Sequence, residues 1–373
     1  MDLELSDDQE LLRETTARFI ETKCPLPRVR ELIDDPIGHD RTVVRDAGDL
    51  GWYALFVPEE FGGGSVSGAP LMDAVIVAEE RGRALQPGPF VATNVVAAAL
   101  ARDGDAKQQA EHLSNLASGE TTATWVIGER GGAPEAGSVV ASARDGGYTL
   151  NGVGGLVPDS GALDLLLVSA RDGEGVTQFL VPTAAPGVVV EQLTGLDLTR
   201  RFAEIRFDSV AVDDSAVLGE PGAGVAAVGR QLDVALALVT AESVGAMAAL
   251  LELTVQYAKD RIAFGRPIGS FQAIKHLLAD SSLAVELSKT AAVAAARAVT
   301  EERATASEIA SIAKAFVGDA GVEVGQACFQ VHAGIGFTWE HDLHLYLRRL
   351  TADRAWFGDP EWHRERICTL HGL

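Results

Sequence analysis

The sequence predicts a mostly α protein with a central β domain, and three observations carry that prediction. Up to about residue 118, apolar residues recur at helical spacing. From Thr121 the pattern shortens to runs of β-branched and aromatic residues cut by Gly, Asp and Pro. After Gly224, helical patterning returns and holds almost to the end. The expected domains are an N-terminal helical domain (1–118), a middle β domain (119–216) built as a small antiparallel barrel or sandwich, and a C-terminal helical bundle (217–373).

Each element follows from local chemistry. Ser6 and Gln9 fit a capping box, and Leu11, Leu12, Thr15, Phe19 and Ile20 then recur on one helical face. Further helices are expected over 41–51, 68–84, 92–101 and 106–117. The strand runs are 122–127, 147–150, 165–169, 177–181, 187–190 and 203–207, each bounded by turn residues. Long helices are expected over 226–260, 270–301, 305–331 and 340–355. Their richness in Ala, Leu and Val fits a bundle that buries several faces.

Bulk numbers exclude several classes. The 373 residues carry 53 Asp and Glu against 31 Lys and Arg, a net charge of -22, which argues against sequence-independent nucleic-acid binding and against anionic membranes. Cys24, Cys328 and Cys368 have no metal-ligand spacing and are the wrong number for a disulfide framework, so they read as reduced thiols of a cytoplasmic protein. His276 and His332 lack partners at metal spacing, and no metal is expected. The N-terminus is acidic and has no signal-peptide pattern. The longest apolar stretch, 234–253, is interrupted by Glu242 and Glu252 and is expected to be a buried helix, not a membrane span.

Two stretches carry chemistry. Tyr257 to Gln272 reads as a helix end, a break at Gly265, Pro267 and Gly269, and a second helix N-capped by Ser270. Arg261 and Phe264 are expected together in the last helical turn, where a guanidinium forks onto phosphate oxygens and a ring covers an adenine or sugar. The plainer reading is a helical hairpin whose Arg caps a C-terminus. In Gln330-Val-His332-Ala-Gly334-Ile-Gly336-Phe337-Thr338, two glycines let a backbone approach a ligand.

In their order and separation these two stretches resemble the acyl-CoA dehydrogenase family. The resemblance extends over Pro58 to Gly64, Asn151-Gly152, Leu196 to Arg201 and the run from Asp342 to Arg349. It implies the family's three-part fold, FAD as cofactor, an acyl-CoA substrate, an electron-transfer flavoprotein-type acceptor, and a homo- or hetero-oligomer, dimer or tetramer. Position by position, it implies that Arg261, Phe264, Gln272, Gln330, Gly334 and Gly336 hold the adenosine pyrophosphate of FAD across a subunit boundary. The Arg-Phe pair is then expected to meet the Gln-Gly turn of an adjoining copy. Asp359 and Glu361 fall where later flavin contacts lie.

The expected reaction removes an α-proton and a β-hydride from the thioester, so it needs a carboxylate base. Where the family commonly places that carboxylate, this chain has Phe357. At the alternative family position it has Ala235, followed by Leu236 in place of the usual Arg. Asp233 points about 200° away around the same helix, whereas Glu242, seven residues beyond Ala235, returns to nearly the same face. Glu242 is either buried and paired with a cation or hydroxyl, or it lines the pocket as the base; it is the catalytic candidate. Two further departures are Gly128-Glu129-Arg130 in the first strand and Leu156 where the family has a flavin-packing aromatic. The cluster Arg348, Arg349 and Arg354 is expected to be a solvated helix face. Two main functions stay open: an FAD-dependent acyl-CoA dehydrogenase, and a non-catalytic partner that completes the FAD site of a base-bearing homologue. A flavin oxidase on the same scaffold is a third.

Overall fold

The structure, a computed structural model, describes residues 4–128, 134–173 and 175–373. Glu129 and Arg130 of the expected first-strand motif lie outside the described residues. The chain opens with helices α1 (Asp7–Lys23), α2 (Leu26–Glu31), α3 (Arg41–Asp49), α4 (Pro70–Arg83), α5 (Phe90–Asp103) and α6 (Ala106–Ala117). The capping box is formed: Gln9 N–H donates to Ser6 Oγ at 3.3 Å and Ser6 N–H donates to Gln9 Oε1 at 3.2 Å. Asp105 and Gln108 repeat the device at the start of α6. Satisfying the free N–H groups there fixes where each helix begins. Trp52 anchors the helical core, edge-on to Phe19 at 5.2 Å and to Phe90 at 6.1 Å.

A mixed sheet follows: β1 (Ala123–Val126), β2 (Val139–Arg144), β3 (Gly147–Pro158), β4 (Leu165–Asp172), β5 (Gly175–Pro182), β6 (Val188–Leu193), β7 (Phe202–Asp213) and β8 (Val217–Leu218). The spatial order is β6-β7-β3-β2-β4-β5-β8, with β1 beside β4. Most neighbours are antiparallel, as expected, but β1 runs parallel to β4 from Ala123 opposite Leu165. Parallel neighbours need a long crossover, and the chain between β1 and β4, with its β2–β3 hairpin, supplies one. In β3 the register slips between Gly154 and Val157, and Leu156 at φ 49° leaves the ladder there.

The last part is helical: α7 (Gly224–Asp260), then a two-residue ladder of β9 (Ile262–Ala263) and β10 (Arg266–Pro267), then α8 (Gln272–Thr300), α9 (Ala306–His332), α10 (Leu343–Ala355) and α11 (Pro360–Leu370). By composition α7 is long and apolar enough to cross a membrane, but 83% of its most apolar window is buried within the fold. Helices α4 and α7 cross at glycines. A Cβ on Gly82 would lie 1.9 Å from the Glu242 carbonyl oxygen, and one on Gly245 would lie 1.9 Å from that of Glu79.

Several boundaries differ from expectation. Helix α7 ends at Asp260, so Arg261 is its C-cap and Phe264 sits in the ladder's turn at φ 54°, not in a helical turn. Gly265 at φ 81° completes that turn. Ser270 caps nothing: its Oγ donates to the Pro267 carbonyl at 2.7 Å, and Phe271 is the N-cap of α8. Helices α2 and α11 were not expected; each carries a proline in its first two positions, Pro27 and Pro360, which presets the first helical turn without any apolar period.

Candidate active site

Helices α7 and α9 run the same way with α8 returning between them, so their C-terminal ends coincide. Tyr257 of α7 stacks on His332 of α9 with ring centroids 4.3 Å apart. The Arg261–Phe264 segment and the Gln330–Thr338 segment are therefore neighbours within one chain. Phe264 is 95% exposed, Phe337 75% and Trp339 56%, a density of bare aromatic surface that marks a contact site. The Arg261 guanidinium has no ion-pair or hydrogen-bond partner among the described residues, and Gln272, Gln330 and Gly334 are exposed beside it. A Cβ added at Gly334 would meet nothing within 4 Å, so the chain's own packing does not demand glycine there; close approach by a ligand would. Gly336 is different: a Cβ there would strike Leu343 at 2.7 Å, and its role is packing. An unpaired guanidinium, bare rings and an open backbone fit a dinucleotide's pyrophosphate and adenine.

Asp359 and Glu361 are otherwise engaged. Asp359 accepts the Trp362 N–H at 2.8 Å as N-cap of α11, and Glu361 lies in exposed ion pairs with Arg354 and Arg364.

Between the sheet and α10 lies a cavity of about 330 Å³, lined mainly by Trp125, Leu156, Phe202, Thr351, Trp356 and Phe357. Its wall is an aromatic stack: Trp356 on Phe357 at 4.7 Å and 20°, with Trp125 6.1 Å from Phe357. Its volume falls in the range of small-molecule sites, roughly 300–1,000 Å³, and its lining is mostly apolar. Asp197 is the titratable group in its lining, and it is bound to Arg349 at 2.5 Å and to the Thr199 hydroxyl at 2.7 Å. Burial opposes its charge, but Arg349 and Arg200 outweigh burial and hold its carboxyl below the usual range. Arg349 is fully buried, so the expectation that the Arg348–Arg354 cluster is wholly a solvated face fails at this residue.

Behind the aromatic wall sits a buried charge cluster that the sequence reading missed. Arg200 donates to Glu242 Oε2 at 2.5 Å and to Asp353 Oδ1 at 2.8 Å, lies 3.6 Å from Asp159, and stacks on the Trp356 ring at 4.2 Å. Arg81 approaches Glu242 at 3.6 Å from the other side. Burial opposes the charge on Arg200, yet Glu242, Asp353 and Asp159 keep its pKa above the ordinary value. Burial pushes Asp159 and Asp353 up to about 6, against the pull of Arg200. Glu242 is 1% exposed, and Arg200 and Trp356 stand between it and the cavity. A carboxylate held by two guanidiniums and screened from the site is not a base, so the expectation for Glu242 is corrected to its structural alternative. Ala235 and Leu236 are fully buried, and Asp233 is bound to Arg366 at 3.0 Å and to the Ser307 hydroxyl at 2.5 Å.

A second groove, of about 580 Å³, opens between α5, the start of α7 and the α8–α9 connection. Its apolar lining includes Ala98, Ala99, Ala227 and Val234. Arg102 and Arg230 at its edge are paired to Glu302 and Asp103 at 2.5 and 3.2 Å.

Comparison with known proteins decides the family. Residues 6–120 match the acyl-CoA dehydrogenase N-terminal domain and residues 222–369 match the acyl-CoA dehydrogenase C-terminal domain. The chain belongs to the acyl-CoA dehydrogenase family. It is similar to the acyl-CoA dehydrogenase IpdE2 of Mycolicibacterium smegmatis, 35% identical over 366 residues, covering 97% of this chain and 98% of that one. Among solved structures, the ChsE4-ChsE5 complex of Mycobacterium tuberculosis superposes with a TM-score of 0.90 at 28% identity, covering 100% and 99% of the two chains. A variant of the Tcur3481-Tcur3483 steroid ACAD gives 0.88 at 27% identity, covering 98% of each. As an acyl-CoA dehydrogenase the protein is an oxidoreductase with FAD as cofactor, and the clasp at the ends of α7 and α9 fits that group. Bound FAD supplies the hydride acceptor; what this chain supplies is binding and shape.

Proposed function

We propose that this chain serves α,β-desaturation of a CoA thioester as one subunit of a mixed oligomer, giving its nucleotide clasp to a homologous chain that carries the base. One observation carries the reading: among the described residues the carboxylates at and behind the cavity wall, Asp197, Asp353 and Glu242, are each bound to a guanidinium, and Phe357 stands where the family's base would be. Two of the similar solved structures are named for pairs of chains, ChsE4-ChsE5 and Tcur3481-Tcur3483, which supports a mixed assembly. The groove of about 580 Å³, with small side chains on its floor and arginines at its edge, suits a thioester with a bulky acyl group and an anionic tail. The steroid named for the Tcur neighbour supports a ring-bearing acyl group here. We place the protein in the cytoplasm, reoxidised by an electron-transfer flavoprotein-type acceptor.

The intact ring cavity favours a second reading, in which the chain binds FAD and turns over alone. Expression alone and with a base-bearing homologue separates the two. Colourless protein alone, and yellow protein bleached by ring-bearing acyl-CoA when the two are co-expressed, supports the mixed oligomer. Yellow protein that bleaches alone overturns it.

A further inference from the structure

Lys314 of α9 is 2% exposed, yet no carboxylate lies within ion-pair distance of it among the described residues. Its Nζ donates to the carbonyls of Arg354 at 3.0 Å and Gly358 at 2.9 Å. Burying an ammonium is expensive, and a methionine would fill the same space without that penalty. What the lysine does can be read from its two acceptors. Arg354 is in the last turn of α10, where carbonyls lack helical partners, and Gly358 lies just past the turn that follows. Between them stand Trp356 and Phe357, the aromatic wall of the 330 Å³ cavity.

That turn is strained and tightly held. Phe357 sits at φ 58° and Gly358 at φ 97°, and a Cβ on Gly358 would lie 2.6 Å from the Trp362 ring. From the far side, His363 meets the Phe357 carbonyl with Nε2 at 3.0 Å. Burial, then the charges of Lys314 and Arg366, push His363 down to about 3, so it is neutral and this nitrogen carries the donated proton. Arg200 stacks beneath Trp356 at 4.2 Å. The three consecutive groups that shape the wall are thus each gripped from outside the turn.

We infer that Lys314, seconded by His363, is a positioning residue of the site: it clamps the Arg354 and Gly358 carbonyls and so fixes the Trp356–Phe357 wall that faces the ring-sized cavity. The inference rests on reading that cavity as the face this chain offers to a planar ring. It asks for neither a bound flavin nor a partner. Lys314 is faced by Asp353 and Arg354 of α10, Asp359 and His363 of α11, and Asp319 of its own helix; burial outweighs these carboxylates and brings it down to about 7. Loss of its proton removes the charge from both carbonyl contacts and loosens the clamp.

The chain labelled with 5-fluorotryptophan gives one ¹⁹F line for each of its five tryptophans, and a Trp356→Phe variant assigns the line that matters. In the wild type the Trp356 line should move between about pH 6 and 8.5 with a midpoint near 7, while the Trp52 line holds. Lys314→Met should displace the Trp356 line and abolish its pH dependence, and Lys314→Gln, which keeps an uncharged N–H donor group, should return it part of the way. A Trp356 line that coincides in wild type and Lys314→Met at every pH overturns the inference. If Lys314→Met does not fold, a Trp356 line in Lys314→Gln that coincides with the wild-type line at every pH overturns it equally. Because no flavin, acyl-CoA or second chain enters the measurement, failure of the mixed-oligomer reading leaves this result intact.

Discussion

Replacing Arg200 by Leu tests the account of the buried charge cluster. The change withdraws one cation from contact with Glu242 and Asp353 and from the neighbourhood of Asp159, all of them at most 3% exposed. Two charge-assisted hydrogen bonds at roughly 1.5–3 kcal/mol each, and the general penalty of about 3–5 kcal/mol for breaking one side of a buried pair, converge on a loss near 4 kcal/mol at neutral pH. The loss should depend on pH with a definite sign. Asp159 and Asp353 have folded pKa values raised to about 6 above an unfolded value of 3.8, so the stability they contribute is present below 3.8 and lost as pH rises through about 6. At pH 5 both are largely protonated, the cluster holds less negative charge, and removing the cation should cost only about 2 kcal/mol. Urea unfolding of wild type and Arg200→Leu at pH 5 and pH 7.5, followed by far-UV circular dichroism, measures both values. A loss below about 1 kcal/mol at pH 7.5, or the same loss at both pH values, refutes the reasoning. The companion change Glu242→Gln should lower stability by about 1–2 kcal/mol and leave the turnover of the assembled enzyme unchanged. A drop in turnover of about 100-fold or more would instead restore Glu242 as a base.

Three further outcomes are expected. Arg261→Ala and Phe264→Ala should each change the urea midpoint of the isolated chain by no more than about 0.5 kcal/mol equivalent, since both side chains are exposed, Arg261 has no partner among the described residues and Phe264 meets only the edge of Phe271, yet each should lower flavin retention of the assembly by about tenfold or more, read from absorbance after gel filtration. Asp73→Ala should cost about 2–3 kcal/mol and open the loop at 62–69 to limited proteolysis, because one buried carboxylate there accepts from Gln9 Nε2, Ser65 Oγ, Ser67 N and Ser67 Oγ. Lys314 has a folded pKa near 7 below an unfolded 10.5, so the unfolded chain binds the extra proton and wild-type stability should rise by about 1 kcal/mol per unit between pH 7 and 8; in Lys314→Met this slope should vanish. The window is bounded above because burial raises Cys24 and Cys328, whose contributions fall as pH passes the unfolded thiol range.

Much of the fold was legible because its causes are local. The Ser6–Gln9 box, the change of period near Thr121 and the apolar run of α7 each involve residues close in sequence. The misreadings have one common cause, the distance between partners. Arg349 looks like a solvated helix residue until Asp197, 152 positions earlier, is placed against it, and Glu242 is a bare acid in an apolar helix until Arg200 arrives from 42 positions away. The parallel pairing of β1 with β4 is equally invisible, since strand composition does not carry direction. Arg261 and Phe264 were found because their motif is short, although the helix supposed to carry them stops one residue before the arginine.

The division of labour proposed for this chain follows from where polar groups have found partners and where they have not. A phenylalanine 95% exposed in a turn at positive φ, touching only the edge of Phe271 at 6.2 Å, contributes little to the packing of one chain, and an arginine beside it with no partner among the described residues adds little more. Such residues make sense as half of a contact. Around the ring-sized cavity the opposite holds: Asp197, Asp353, Asp159 and Glu242 are all drawn into guanidinium clusters, the place of the base is filled by a stacked phenylalanine, and a lysine is buried to hold that phenylalanine still. Proton abstraction needs a carboxylate free to change its charge beside the substrate. Among the described residues these four carboxylates are paired off while the nucleotide clasp is left bare, and on the reading proposed above the group that takes the proton comes from another chain.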